Sequence, residues 1–272
     1  MFDNAMTATT PDGCDLAVYD LGGAGEPVVL VHGITERAEA WQPVAEQLVQ
    51  SNRVVALDLR GHGASADAAT YDLAAMAGDV ITAIGATGLE NPHLLGHSLG
   101  GIVVSAVGAV YPVTSVINVD QALALGSFQE MLAPAEGMLR DPDTFPAVIA
   151  QLFGDLAGPL GDAERARMDA LRRPSQDVVL GVWELILTSP LAEIEETVDA
   201  ALAPYAENGV PYLSLFGVDP GTGTDDYVDW LSARIPQATV EVWDDHGHYP
   251  HLVDPERFLE RVRTFWAEAA RS

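Results

Sequence analysis

A chain of 272 residues, 48% of them hydrophobic and 19% charged, is long enough to bury a substantial core, which argues against intrinsic disorder. Forty acidic residues stand against thirteen bases, a formal net charge of −27, and all thirteen bases are arginine. The lack of lysine excludes Schiff-base chemistry, a phosphate-loop lysine and lysine-assisted cyanohydrin chemistry. A field of this sign repels nucleic acid and anionic membrane surfaces, so neither is expected as a partner.

In chain order, the opening MFDNAMTATT has neither a basic end nor an apolar run, and no later stretch approaches the roughly 20 apolar residues of a membrane span. The single cysteine, Cys14, has no partner for an internal disulfide, which agrees with a reducing cytoplasm as the expected location. Asp15 to Tyr19 reads as an antiparallel strand at a sheet edge. Val28–Val31, Val54–Leu57, Leu94–Leu95, Val116–Val119, Tyr212–Phe216 and Val240–Trp243 are continuous apolar blocks, the pattern of parallel strands covered on both faces. Between them lie stretches with helical spacing, such as Trp41, Val44, Ala45 and Leu48. The alternation predicts an α/β fold with a doubly wound, mostly parallel sheet. From about 123 to 205 no strand pattern appears, and this region is read as a helical lid inserted into a single domain spanning 1–272.

The chemistry concentrates at strand ends. Leu94-Leu95-Gly96-His97-Ser98-Leu99-Gly100-Gly101 is an apolar strand running into a Gly-x-Ser-x-Gly turn, followed by an apolar helix from Ile102 to Val110. In such a turn the serine takes a strained conformation, and the residues two before and two after it are small so that strand and helix can approach. Further landmarks are the His32-Gly33 turn after a strand, Asp58-Leu59-Arg60-Gly61-His62-Gly63-Ala64-Ser65, and Gly247-His248 with Pro250, followed by Pro255-Glu256-Arg257-Phe258.

These four landmarks, in this order and over nearly the whole chain, resemble the α/β-hydrolase fold family. The resemblance implies Ser98 as nucleophile and His248, directly after a glycine past the last strand, as its general base. His246 and His251 then orient the loop or face solvent. No helix aligns these three histidines as metal ligands, so no metal site is expected, and no cofactor. His32, His62 and His97 are structural landmarks of the family's turns, and His93 is given no role.

The acid that orients the base departs from the commonest family pattern, in which Gly-x-x-Asp ends the preceding strand. Here that stretch reads Gly217-Val218-Asp219-Pro220, with proline at the expected position. Some members carry the acid at the end of the strand after the nucleophile's helix, which here is Val116-Ile117-Asn118-Val119 ending in Asp120. The acid is therefore assigned to Asp120, with Asp219 as the alternative. The resemblance also points to the backbone N–H groups of Ile34 and Leu99 as oxyanion donors.

Phe128, Met131, Met138, Phe145, Phe153, Met168, Trp183 and Leu187 are candidates to line an apolar cleft under the lid. They favour a small, mainly apolar ester or lactone over a phosphate or polyanion. Carbon–carbon bond hydrolysis and a slow, ligand-sensing role are the alternatives within this fold.

Overall fold

The computed structural model describes residues 1–218 and 223–271. Eight strands form one sheet: β1 (Met6–Thr9), β2 (Asp15–Gly22), β3 (Pro27–Val31), β4 (Arg53–Leu57), β5 (His93–His97), β6 (Ser115–Val119), β7 (Tyr212–Phe216) and β8 (Ala238–Val242). Their order is β1-β2-β4-β3-β5-β6-β7-β8. β1 and β2 are antiparallel and every pairing from β4–β3 onward is parallel.

The apolar runs become strands because both of their faces are covered. Along β3, Val29 and Val31 enter one core while Val28 and Leu30 enter the other, the two-residue alternation of a strand. Each fully buried Val or Leu contributes about 1.5–3 kcal/mol. One face packs against α2 (Leu73–Thr87), α3 (Leu99–Val110) and the helices that come after β6. The other is covered by α1 (Gln42–Leu48) and, late in the chain, by the fifteen-residue helix Pro255–Ala269, through Trp41, Leu48, Phe258, Leu259 and Phe265.

Two details differ from the pattern expected of the sequence. The antiparallel strand at Asp15 is second from the edge, because Met6–Thr9 pairs outside it. β8 ends at Val242 rather than Trp243 and is only half-buried, so it is not covered on both faces.

Between β6 and β7, residues 123–205 contain no strand. They form α4 (Gly126–Leu132), α5 (Glu136–Arg140), α6 (Phe145–Leu156), α7 (Asp162–Leu171), α8 (Gln176–Thr188) and α9 (Leu191–Leu202), with α10 (Tyr205–Asn208) after them. Phe145, Ile149, Phe153, Trp183, Ile194 and Val198 join the core on the α2–α3 face. After β7 come α11 (Thr224–Ser232), then β8, α12 (Pro250–Val253) and α13 (Pro255–Ala269).

Strand register aligns the carboxyl edge of the sheet. Val31 pairs with Gly96, His97 with Val119, and Val119 with Leu215. The carboxyl ends of β3, β5, β6 and β7 are therefore level, and the residues just beyond them emerge along one edge, where ligands bind in open α/β sheets.

Candidate active site

β5 ends at His97 and α3 begins at Leu99, so Ser98 alone makes the bend. Its φ of 50° and ψ of −122° are strained for a residue with a side chain. A Cβ on Gly96 would lie 2.1 Å from Gly100 O, and one on Gly100 would lie 2.2 Å from Val31 O. Backbone contact therefore requires glycine on both sides of the serine. The Ser98 N–H donates to Val119 O at 2.9 Å, and its carbonyl accepts from the Gly101 N–H at 2.7 Å. Ser98 is half-buried at the start of α3 and, among the described residues, its hydroxyl forms no hydrogen bond with His248.

Asp120 lies just past the end of β6, with a left-handed φ of 53° and its N–H donating to Leu215 O at 2.8 Å. Its buried carboxylate is shared. Oδ1 accepts from the Gly217 N–H at 2.7 Å, and Oδ2 accepts from His248 Nδ1 at 2.5 Å. A carboxylate only accepts, so Nδ1 carries a proton, and in the neutral form of the ring the lone pair is at Nε2. The base loop closes on the same strand end, with Gly247 N–H donating to Gly217 O at 2.9 Å. A Cβ on Gly217 would lie 1.9 Å from Gly247 O. The alternative acid, Asp219, lies outside the described residues.

Ser98 and His248 approach through their neighbours. The His97 ring centroid lies 4.7 Å from that of His248, and His97 Nε2–H donates to the His248 carbonyl at 2.8 Å. His246 and His251 are buried rather than solvent-facing. His251 packs 4.5 Å from Trp41 and 4.6 Å from His97, and His246 bonds Asp245 at 2.6 Å. Among the described residues no three His, Cys, Asp or Glu side chains group as metal ligands.

The loop after β3 carries the other expected donor. His32 Nδ1–H donates to Gly33 O at 2.7 Å and Nε2 accepts from Leu59 N–H at 3.1 Å, fixing the turn. Burial lowers the His32 pKa to about 4, so the ring is neutral at physiological pH. The N–H groups of Ile34 and Leu99 have no protein acceptor among the described residues. For Leu99 this is the ordinary state of a first-turn helix amide, which favours negative charge nearby.

Of the expected cleft residues, Phe145, Phe153 and Trp183 are buried in the core shared with the sheet, with Phe128 packed against it. Met131 and Met138 are half in solvent, and Met168 packs with Leu171, Tyr249 and Leu252 in a separate cluster. Sequence pattern alone does not single out Glu36, which accepts from the Gly33 N–H at 3.1 Å and from the Tyr249 hydroxyl at 2.9 Å. Its one sequence signal is a carboxylate three residues past the His32-Gly33 turn.

A mostly parallel sheet with helices on both faces and a strained serine between strand and helix defines the architecture of an α/β hydrolase. The sequence profile of the alpha/beta hydrolase family matches residues 28–261. The chain is 38% identical over 260 residues to the (E)-2-((N-methylformamido)methylene)succinate hydrolase of Acinetobacter baylyi, covering 93% of this chain and 94% of that protein. It is 24% identical to esterase YbfF of Escherichia coli, covering 88% and 92%. Among solved structures it resembles the esterase RhEst1 from Rhodococcus, with a TM-score of 0.70 and 27% identity over 97% of this chain and 98% of that one. The chain belongs to the alpha/beta hydrolase family.

Proposed function

We propose that this protein is a serine hydrolase that cleaves a carboxylic ester or lactone of a small, mainly apolar substrate. The observation that carries this reading is the Asp120–His248 hydrogen bond, formed at the sheet edge that also holds the Ser98 bend. His248 Nε2 takes the Ser98 proton as the serine oxygen attacks the substrate carbonyl. The N–H groups of Ile34 and Leu99 stabilise the oxyanion. The alkoxide leaves with the proton from His248, and water, deprotonated by the same imidazole, releases the acyl group and restores Ser98. The missing Ser98–His248 hydrogen bond does not weigh against the reading, because such contacts often tighten only when substrate is bound.

No cofactor enters this cycle. Residues 123–205 act as the lid that selects the substrate, and the protein works as a cytoplasmic enzyme on a small molecule, without nucleic acid or membrane as partner. No helix among the described residues is long and apolar enough to cross a membrane. One observation favours a second reading, hydrolysis of a bond other than an ester by the same residues. The relative at 38% identity is named for a substituted methylene succinate rather than an ester.

The test is labelling with a serine-directed fluorophosphonate, peptide mapping, and turnover on a panel of short-chain esters, lactones and succinate-type compounds. Label on Ser98, and loss of both label and turnover in Ser98→Ala, are expected. Label elsewhere, or an active Ser98→Ala, overturns the assignment.

A further inference from the structure

Glu36 is a charged side chain only 2% exposed, set two residues beyond Ile34. Its two oxygens meet four parts of the molecule. Oε2 accepts from the Gly33 N–H at 3.1 Å and lies 3.5 Å from His97 Nδ1. Oε1 accepts from the Tyr249 hydroxyl at 2.9 Å and lies 3.8 Å from Arg172 Nη2, which also donates to the Tyr249 hydroxyl. His97 directly precedes Ser98 and holds the His248 carbonyl through its other ring nitrogen. Tyr249 is the residue next after His248.

Arg172 ends the α7 region, and its guanidinium lies 4.4 Å over the Phe153 ring of α6. The neighbouring Arg173 N–H donates to Thr35 O at 2.9 Å, bonding the helical region to the same loop. The loop is shaped around the carboxylate. A Cβ on Gly33 would come within 3.0 Å of Glu36 Oε2, and Thr35 takes a left-handed φ of 64°. Burial alone would raise the Glu36 pKa. The neighbouring His97 ring, the Arg172 guanidinium and the Tyr249 hydroxyl instead hold the carboxyl far below its usual range. Burial, and then Glu36 itself, push the Tyr249 hydroxyl well above its usual range, so it remains a donor.

We propose that Glu36 is a positioning residue, the buried anchor that sets the oxyanion loop, the bend at Ser98 and the His248 loop in register with one another and with the helical region at Arg172. The inference rests on the roles proposed for Ser98, His248 and Ile34, and adds a residue that touches no reacting atom. An anchor of this kind acts on the transition state. Substrate binds in the ground state without needing the Ile34 N–H and the His248 ring in their final relation, whereas the tetrahedral species needs both.

Glu36→Gln keeps the size of the side chain and removes its charge. It is expected to lower kcat by about ten- to a hundred-fold while KM changes by about two-fold or less. Affinity for a trifluoromethyl ketone, which forms a tetrahedral adduct with serine, should fall in parallel with kcat/KM. Tyr249→Phe removes one donor to the same carboxylate and should lower kcat by about ten-fold, with the double variant no worse than Glu36→Gln, as expected of coupled residues. A kcat and ketone affinity equal to wild type in Glu36→Gln, with only the melting temperature reduced, overturns the inference. So does a loss confined to KM, or strict additivity with Tyr249→Phe. If Glu36→Gln does not fold, Tyr249→Phe decides alone, and wild-type kcat and ketone affinity there overturn the inference. Ser98→Ala, run alongside, separates the two levels. Turnover in that variant removes the serine reading and the anchor with it, whereas an inactive Ser98→Ala beside an unaffected Glu36→Gln removes only the anchor.

Discussion

Asp120 holds two partners with its two oxygens, and the backbone partner decides what an amide there would do. The Gly217 N–H at 2.7 Å requires an acceptor, so in Asp120→Asn the amide oxygen stays on Gly217 and the NH₂ turns to His248. His248 Nδ1 would then have to accept, moving the ring proton to Nε2, where it cannot take a proton from Ser98. Asp120→Asn is expected to cost about 10⁴ in kcat with little change in melting temperature. Turnover within ten-fold of wild type would transfer the role to Asp219. At Gly217 itself the added methyl of Gly217→Ala would meet Gly247 O at 1.9 Å. The strand end or the base loop must move, at a cost of about 1–3 kcal/mol. Both the urea midpoint and the rate of Ser98 labelling should fall, and an unchanged midpoint would show that the contact relaxes freely.

At the scale of elements, α2 shows where glycine has no such duty. Asp72 caps it by accepting from the Ala75 N–H at 2.9 Å, and Gly88 ends it with a left-handed φ of 63°. Gly78 and Gly85 lie inside with nothing within 4 Å of an added Cβ. Gly78→Ala and Gly85→Ala should each stabilise by about 0.5–1 kcal/mol, read as a higher melting temperature, because alanine loses less backbone freedom on folding. The same division explains what is legible in the sequence. β3 to β7 are readable because burial on both faces leaves unbroken apolar runs. β1 is not, because Met-Thr-Ala-Thr at a sheet edge buries only Ala8. The Ser98 bend is readable because its partners are consecutive in sequence. The Glu36 anchor is not, because Tyr249 lies 213 positions from Glu36 and 77 from Arg172, and only the folded chain joins them.

For the whole molecule, buried neutral histidines govern the acid limb of stability. Burial lowers His32 and His62 from 6.5 to about 4, and lowers His93 and His251 in the same direction. Between those two pH values the unfolded chain binds protons that the native state excludes, so stability is complete above about pH 6.5 and falls as pH drops toward 4. His32 and His62, whose rings lie 5.0 Å apart, both add to that loss. Urea midpoints at pH 7.5, 5.5 and 4.5 should decline in that order, and a flat series would mean that these rings are hydrated.

The helices between β6 and β7 are not held evenly, and a protease would find the difference. Arg172 is bonded to Tyr249 and paired with buried Glu36, and Arg173 precedes Pro174, a bond trypsin does not cut. Arg140, whose ion pairs with Glu136 at 2.9 Å and Glu184 at 3.5 Å are both solvent-exposed, closes the last turn of the short α5, its side chain 38% exposed, directly before the exposed residues 141–143. Brief trypsin treatment of the native protein should therefore open this region first after Arg140, leaving fragments whose masses report that bond.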